Sequence, residues 1–178
     1  LKKAGYKVAL AGNVGPSFAR TVLTSSFDYC VLELSSFQLD GCYTFKPNIA
    51  VLLNITPDHL DRYQNNFNFY IASKFKIIQH ATRRNHFIYC YDDATLNAHL
   101  KTHPTPARLH PFSIIQPIIG SGAFLNASTL TITLKPNQKP LTMNIEQLAL
   151  QGKHNIYNSM AAALAAKLAH VRKSVIRE

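Results

Sequence analysis

Four short runs of almost unbroken apolar residues set the limits on this chain. They are Tyr6–Ala11, Asp28–Leu34, Asn48–Leu53 and His86–Tyr91. A strand with one wet face alternates apolar and polar residues, whereas a run apolar at nearly every position must be covered on both sides. Helix signals lie between the runs. Pro16 can open a helix over Ser17–Ser25, Phe67 to His80 is helical by period, and a short helix follows Asp92-Asp93. Strands separated by helices pair in parallel, because a parallel pair needs a long crossover. The expectation is an α/β fold: a mostly parallel sheet with helices on both faces. With 178 residues the chain can bury a core without disulfide staples. Only 16% of residues are charged, which excludes wholesale disorder, and no apolar run approaches the ~18 residues of a membrane span. Leu1–Tyr6 carries charge with no long apolar stretch behind it, so it does not read as a signal peptide.

The pattern changes after residue 101. Residues 102–117 hold four prolines and read as a connector. Leu130, Ile132 and Leu134 then alternate with threonine, as Leu141, Met143 and Ile145 do with polar residues across a turn at Lys135–Pro140. That is a two-stranded antiparallel ribbon with one wet face, expected as an appendage over residues 102–150. A last helix follows Gly152, with Tyr157, Met160, Leu164 and Leu168 on one stripe.

Lysine and arginine exceed the acids by 19 to 9. Such a balance fits nucleic acid, a membrane surface or phosphorylated small molecules. The cations are scattered rather than striped, and no zinc-finger, RNP or helix-turn-helix signature is present. A basic polyanion-binding module is nevertheless the rival reading from another class. Cys30, Cys42 and Cys90 form no CxxC pair, and their wide spacing fits buried thiols in a reducing compartment.

Several polar residues fall where strands end. Glu33 closes an apolar strand, and the carboxyl ends of parallel strands form the ligand crevice. A carboxylate there can hold magnesium beside a nucleotide, or stand as a plain solvated acid. Ser35, Ser36 and Gln38 follow on the same rim. Asn54–Tyr63 also leaves a buried strand and carries Asp58, His59, Asp61 and Arg62, which suit a metal or an anion as well as a capped turn. Lys74 lies on the apolar stripe Phe67, Ile71, Ile78, where a charge is costly. It must snorkel out, find an acid or go neutral, and a neutral amine can take up carbon dioxide as a carbamate. Gly12–Pro16 is a strand-to-helix turn lacking a full dinucleotide fingerprint, and no Gly-x-x-x-x-Gly-Lys-Ser/Thr occurs. Gly152–Asn158 opens the last helix with a polar rim that could bind a base or simply cap.

Taken in order, these pieces resemble the central, ATP-binding domain of the Mur ligase family. The carriers are Gly12-Asn13-Val14-Gly15, Leu32–Leu39, Thr56–Tyr63, the Tyr70-x-x-x-Lys74 spacing, and Gly152-Lys153-His154-Asn155 with Asn158. Leu32–Leu39 resembles the member that acts on D-glutamate, and Arg62-Tyr63 favours that member over its siblings, with a sibling ligase or a folylpolyglutamate-type ligase as the alternative enzyme reading. The resemblance implies a cytoplasmic, ATP-dependent amide ligase of peptidoglycan and cell-wall synthesis. Its reactants would be ATP, UDP-N-acetylmuramoyl-L-alanine and D-glutamate, with Mg2+ as cofactor, no nucleic acid and no membrane insertion. It further implies that Glu33 holds magnesium, that His59 and a carbamylated Lys74 serve a second magnesium and catalysis, that Asn13, Ser35 and Gln38 meet the UDP-muramoyl substrate, and that His154, Asn155 and Asn158 face the nucleotide. The family's phosphate loop and strand would lie upstream of Leu1. Residues 1–178 are therefore expected to be a partial central domain, an incomplete and inactive piece whose sheet lacks a strand and keeps an unpaired edge.

Overall fold

A computed structural model describes residues 1–24, 26–135, 137–145 and 152–176. Eight strands and six α-helices are defined among them. The amino-terminal part runs β1 (Val8–Gly12), α1 (Phe18–Thr24), β2 (Tyr29–Glu33) and α2 (Ser36–Asp40). Next come β3 (Ile49–Leu52), a 3-10 turn at Leu60–Tyr63, α3 (Phe67–Phe75), β4 (His86–Cys90) and α4 (Ala94–Thr102). The carboxyl-terminal part holds β5 (Arg108–Ser113), β6 (Gly122–Asn126), β7 (Thr129–Thr133), β8 (Leu141–Asn144), α5 (Lys153–Leu168) and α6 (Lys173–Ile176).

Local chemistry accounts for where the helices start. Ser35 caps α2 in a reciprocal box with Gln38, Asn66 caps α3 through the Asn68 amide, and Asp93 caps α4 through the Leu96 amide. The strands form two sheets. β1 and β2 pair in parallel alone, while β3 to β8 form a six-stranded sheet in chain order. Its first four strands are parallel and the last two antiparallel. Phe87 meets Phe75 of α3 edge-on at 6.3 Å, and Phe112 lies 6.1 Å from Tyr157 of α5. Phe87 and Phe112 occupy opposite faces by strand alternation and register, so helices cover both sides. Phe87, Ile88, Phe112, Leu130, Ile132, Met160 and Leu164 are at most 1% exposed and form the centre of the core. Each such side chain contributes roughly 1.5–3 kcal/mol by leaving water.

Three expectations are corrected. Residues 102–117 are not a connector, since Arg108–Ser113 is an interior strand between β4 and β6. Pro111 is tolerated there because of its direction. The Phe112 carbonyl accepts from Tyr91 N on the β4 side, so Pro111 turns its backbone toward β6. The β5–β6 ladder begins one residue later, at Phe112 against Ala123. Gly122 makes the approach possible, because a Cβ there would stand 2.3 Å from the Pro111 carbonyl oxygen. Second, the ribbon is no appendage: β7 pairs with β6, and its apolar face (Leu130, Ile132, Leu141, Met143) belongs to the main core. Third, the apolar runs of β1 and β2 are not covered on both sides, with Leu10 51% and Val31 44% exposed. A cleft of about 1630 Å³ separates this small sheet from β3 and α5, lined by residues such as Val8, Leu10, Val31, Ile49 and Ala166.

Candidate functional site

The polar residues gather at the carboxyl ends of β1 to β4. Gly12 and Glu33 are paired residues at the ends of β1 and β2. The Asn13 amide nitrogen donates to Glu33 Oε1 at 3.1 Å, and its backbone N–H donates to the Glu33 carbonyl at 2.7 Å. Only glycine fits before Asn13: its φ is 111°, and a Cβ would lie 2.3 Å from the Glu33 carbonyl oxygen. Asn13 and Glu33 are thus fixed to each other, with Glu33 exposed at the rim.

Ser35 and Gln38 meet each other first. Gln38 N donates to Ser35 Oγ at 3.3 Å, while Ser35 N donates to Gln38 Oε1 at 2.9 Å. They are a capping box that aims the start of α2 at the rim.

The loop after β3 delivers His59 in the left-handed conformation, φ 49°. This exposed imidazole lies 3.4 Å from Asp58 and edge-on to the Phe37 ring at 5.2 Å. Arg62 sits over the same ring at 4.3 Å, and Tyr63 stacks on it at 6.2 Å. Tyr63 also donates to Asp40 at 3.1 Å, which ties the loop to α2. Lys74 rises from α3 with Nζ 5.0 Å over the Tyr70 ring. Burial holds its amine below the usual lysine range, against an opposing pull from the Asp58 carboxylate. Asp58 therefore acts on both His59 and Lys74.

At the far side, α5 opens at Gly152 (φ 100°), a glycine that offers no side-chain cap, with His154, Asn155 and Asn158 in its first two turns. His154 and Asn158 are exposed and one turn apart, and Asn155 is half-buried. Among the described residues no contact joins Glu33 to His59 or Lys74, and no three His, Cys, Asp or Glu side chains converge as a ready metal cage. Magnesium does not require one, since one or two carboxylates with substrate phosphates and waters suffice. Asn13 gives Glu33 the outer hydrogen bond that orients a ligating carboxylate, so the residues fit that role. The Cys90 thiol is pushed up to about 11, chiefly by burial, and is inert.

Sequence reasoning missed Asp92, Asp93, Ser113 and Tyr157, which bond to one another or to the site loops at the same rim. An Asp-Asp pair directly after a buried strand was the available signal.

With this geometry in place, the kinship is plain. The chain belongs to the Mur ligase middle domain family, whose description matches residues 13–166. Among individual relatives it is similar to the UDP-N-acetylmuramoylalanine--D-glutamate ligases of Christiangramia forsetii (46% identical, all of this chain, 39% of that protein) and Bacteroides fragilis (47% identical, 99% of this chain, 39% of that protein). The chain thus spans about 39% of the length of these relatives. Two solved structures share the fold. A UDP-N-acetylmuramoyl-L-alanyl-D-glutamate--2,6-diaminopimelate ligase superposes with a TM-score of 0.68 at 19% identity, over 98% of this chain and 40% of its own. MurF ligase from Thermotoga maritima in complex with ADP gives 0.65 at 15% identity, over 97% and 41%.

Proposed function

We propose that this chain is the nucleotide-handling centre of an ATP-dependent ligase that joins D-glutamate to UDP-N-acetylmuramoyl-L-alanine. The observation that carries the reading is the Asp58–His59 pair beside a half-buried Lys74 whose charge is disfavoured, at the strand-end rim where Asn13 fixes Glu33. Whole-chain likeness to D-glutamate ligases supplies the substrate. In this reading the free carboxylate of the L-alanyl residue of UDP-N-acetylmuramoyl-L-alanine takes the γ-phosphoryl group of ATP, and ADP leaves. The D-glutamate amine then attacks the acyl phosphate, the new C–N bond forms and phosphate leaves. Both reactants are anionic, so the site must gather positive charge and fixed dipoles where they meet. Glu33 would hold magnesium, which when bound neutralises phosphate charge. His59 would orient the transferring group, and Asn13 with the Ser35–Gln38 box would meet the UDP-muramoyl moiety. His154, Asn155 and Asn158 would face the nucleotide. Neutral Lys74 would attack carbon dioxide, form an N–C bond and release one proton, leaving a carbamate anion suited to a second magnesium.

The test is phosphate release by the intact protein carrying this chain, with ATP, UDP-N-acetylmuramoyl-L-alanine and D-glutamate. Release should need all three. Glu33→Gln should lower it on the order of 100-fold while the thermal midpoint stays put, because an amide is a poor magnesium ligand of similar size. Normal turnover of that variant at limiting magnesium would remove Glu33 from the metal role.

A further inference from the structure

The two groups of proposed site residues sit on different supports, the His59 loop and the first turn of α5. One pair of adjacent carboxylates touches both. Asp93 Oδ1 accepts from Leu96 N at 2.9 Å, which caps α4, and its Oδ2 accepts from Ile55 N at 2.8 Å. Ile55 is 3% exposed and lies at the root of the loop that carries His59. Asp92 turns the other way. Its Oδ1 accepts from Ser113 Oγ at 2.5 Å, and its Oδ2 accepts from Ile114 N and from the Tyr157 hydroxyl, each at 2.8 Å. Tyr157 stands between Asn155 and Asn158 on α5. Ser113 is fully buried and also accepts from the Ile115 and Gln116 amides at 3.0 Å, so the hub is anchored in the end of β5. All four carboxylate oxygens of the pair meet N–H or O–H donors. Hydrogen bonds to an ionised acceptor are about twice as strong as neutral ones. Groups engaged in this way are fixtures of the site rather than ligands for a metal.

We propose that Asp92 and Asp93 are positioning residues, a two-sided clamp at the end of β4 that sets the separation between the His59 loop and the nucleotide-facing turn of α5. This rests on the roles given above to His59, His154, Asn155 and Asn158. Each arm holds one half of the site. Asp92 through Tyr157 governs how the nucleotide is held, and Asp93 through Ile55 governs where the loop delivers His59. Hydrogen-bond partners that hold a functional group in place from behind change affinity or activity by about 10- to 100-fold when removed.

Two substitutions in the intact protein separate the arms. Tyr157→Phe deletes one hydroxyl and keeps the ring beside Phe112. Asp93→Asn keeps an oxygen for the α4 cap and sets an amide N–H against Ile55 N–H. Tyr157→Phe should raise the KM for ATP and the Kd for ADP about tenfold, leaving kcat and the KM for D-glutamate within about twofold. Asp93→Asn should lower kcat about tenfold with the KM for ATP within about twofold. A role in stability alone would instead lower the thermal midpoint and leave both ratios unchanged. That result, or equal effects of both variants on every parameter, would overturn the clamp. If the wild type shows no D-glutamate-dependent turnover, the proposed function falls. Calorimetric binding of ADP to wild type and Tyr157→Phe then still decides the Asp92 arm: equal Kd values overturn it, and a tenfold weaker variant upholds it.

Discussion

Lys74 is where burial and charge conflict most directly. Its amine is half-buried beside Tyr70, and burial holds it below the usual lysine range. A lysine depressed in this way penalises the folded state wherever it is charged. The penalty is present below its folded value and fades as pH rises through that value toward the ordinary ~10.4. The position is thus poor for a structural cation and good for an amine that must react. Lys74→Met should therefore leave the guanidinium unfolding midpoint at pH 7 unlowered, since it removes the desolvated charge and keeps the contact with Tyr70. Lys74→Ala should cut turnover of the intact protein on the order of 100-fold, and added acetate or formate should restore part of it by standing where the carbamate would. Near-normal turnover of Lys74→Ala without added carboxylate would make Lys74 a bystander on α3.

Between elements, two histidines join three strands. His86 Nδ1 and His110 Nε2 lie 2.8 Å apart, linking β4 to β5, and His110 Nδ1 lies 2.6 Å from Ser121 Oγ just before β6. His110 is 4% exposed, and its value is lowered to about 4 by burial, then by His86 and Arg108. His86 is lowered too, by burial and then by Arg108 and His170. Two protonated rings would set N–H against N–H. A depressed histidine gives stability that is complete above the unfolded value of ~6.5 and is lost as pH falls toward its folded value. Going from pH 7 to pH 4.5, wild type should lose about 2 kcal/mol more than His110→Asn, from a folded value of about 4. Urea titrations at both pH values measure this, and parallel losses would show that the pair takes up protons freely. The same elements show where pattern reading stops. The prolines of 102–117 signal a break, yet Pro111 fits an interior strand because its ring faces the one stretch where the β5–β6 ladder has not begun. That depends on which neighbour each carbonyl meets, and local composition does not encode it.

At the scale of the molecule, stability is uneven. The six-stranded sheet owns the core, while β1, β2 and α1 bury only Ala11 and Thr21 among their residues. A lone strand pair is marginal without further packing. The small sheet reaches the rest through contacts such as the Tyr29 hydroxyl donating to the Ala169 carbonyl at 3.3 Å. Amides of β1 and β2 should therefore exchange with deuterium well before those of β4, β5 and β7 in this 178-residue chain. Measured by mass spectrometry, equal protection of both sheets would show that they open as one unit.

The residues by themselves determined the strand-helix alternation, the parallel class, the final helix stripe and the polar groups at strand ends. Each is a local signal: periodicity, a cap, or the type of side chain that ends an apolar run. They also placed Lys74 in conflict with its surroundings, because an apolar stripe is visible in one dimension. Only the tertiary structure decided which groups meet. Ser35 and Gln38 are polar groups on a rim in one dimension and a reciprocal cap in three, and Asp92 and Asp93, which in sequence only precede a short helix, meet Tyr157 and Ile55 from 65 and 38 residues away. The apolar runs of β1 and β2 were indistinguishable from that of β4, yet only β4 has paired neighbours on both edges. Burial is a property of what lies opposite, and hydrogen-bond partners brought together by folding leave no trace in sequence spacing.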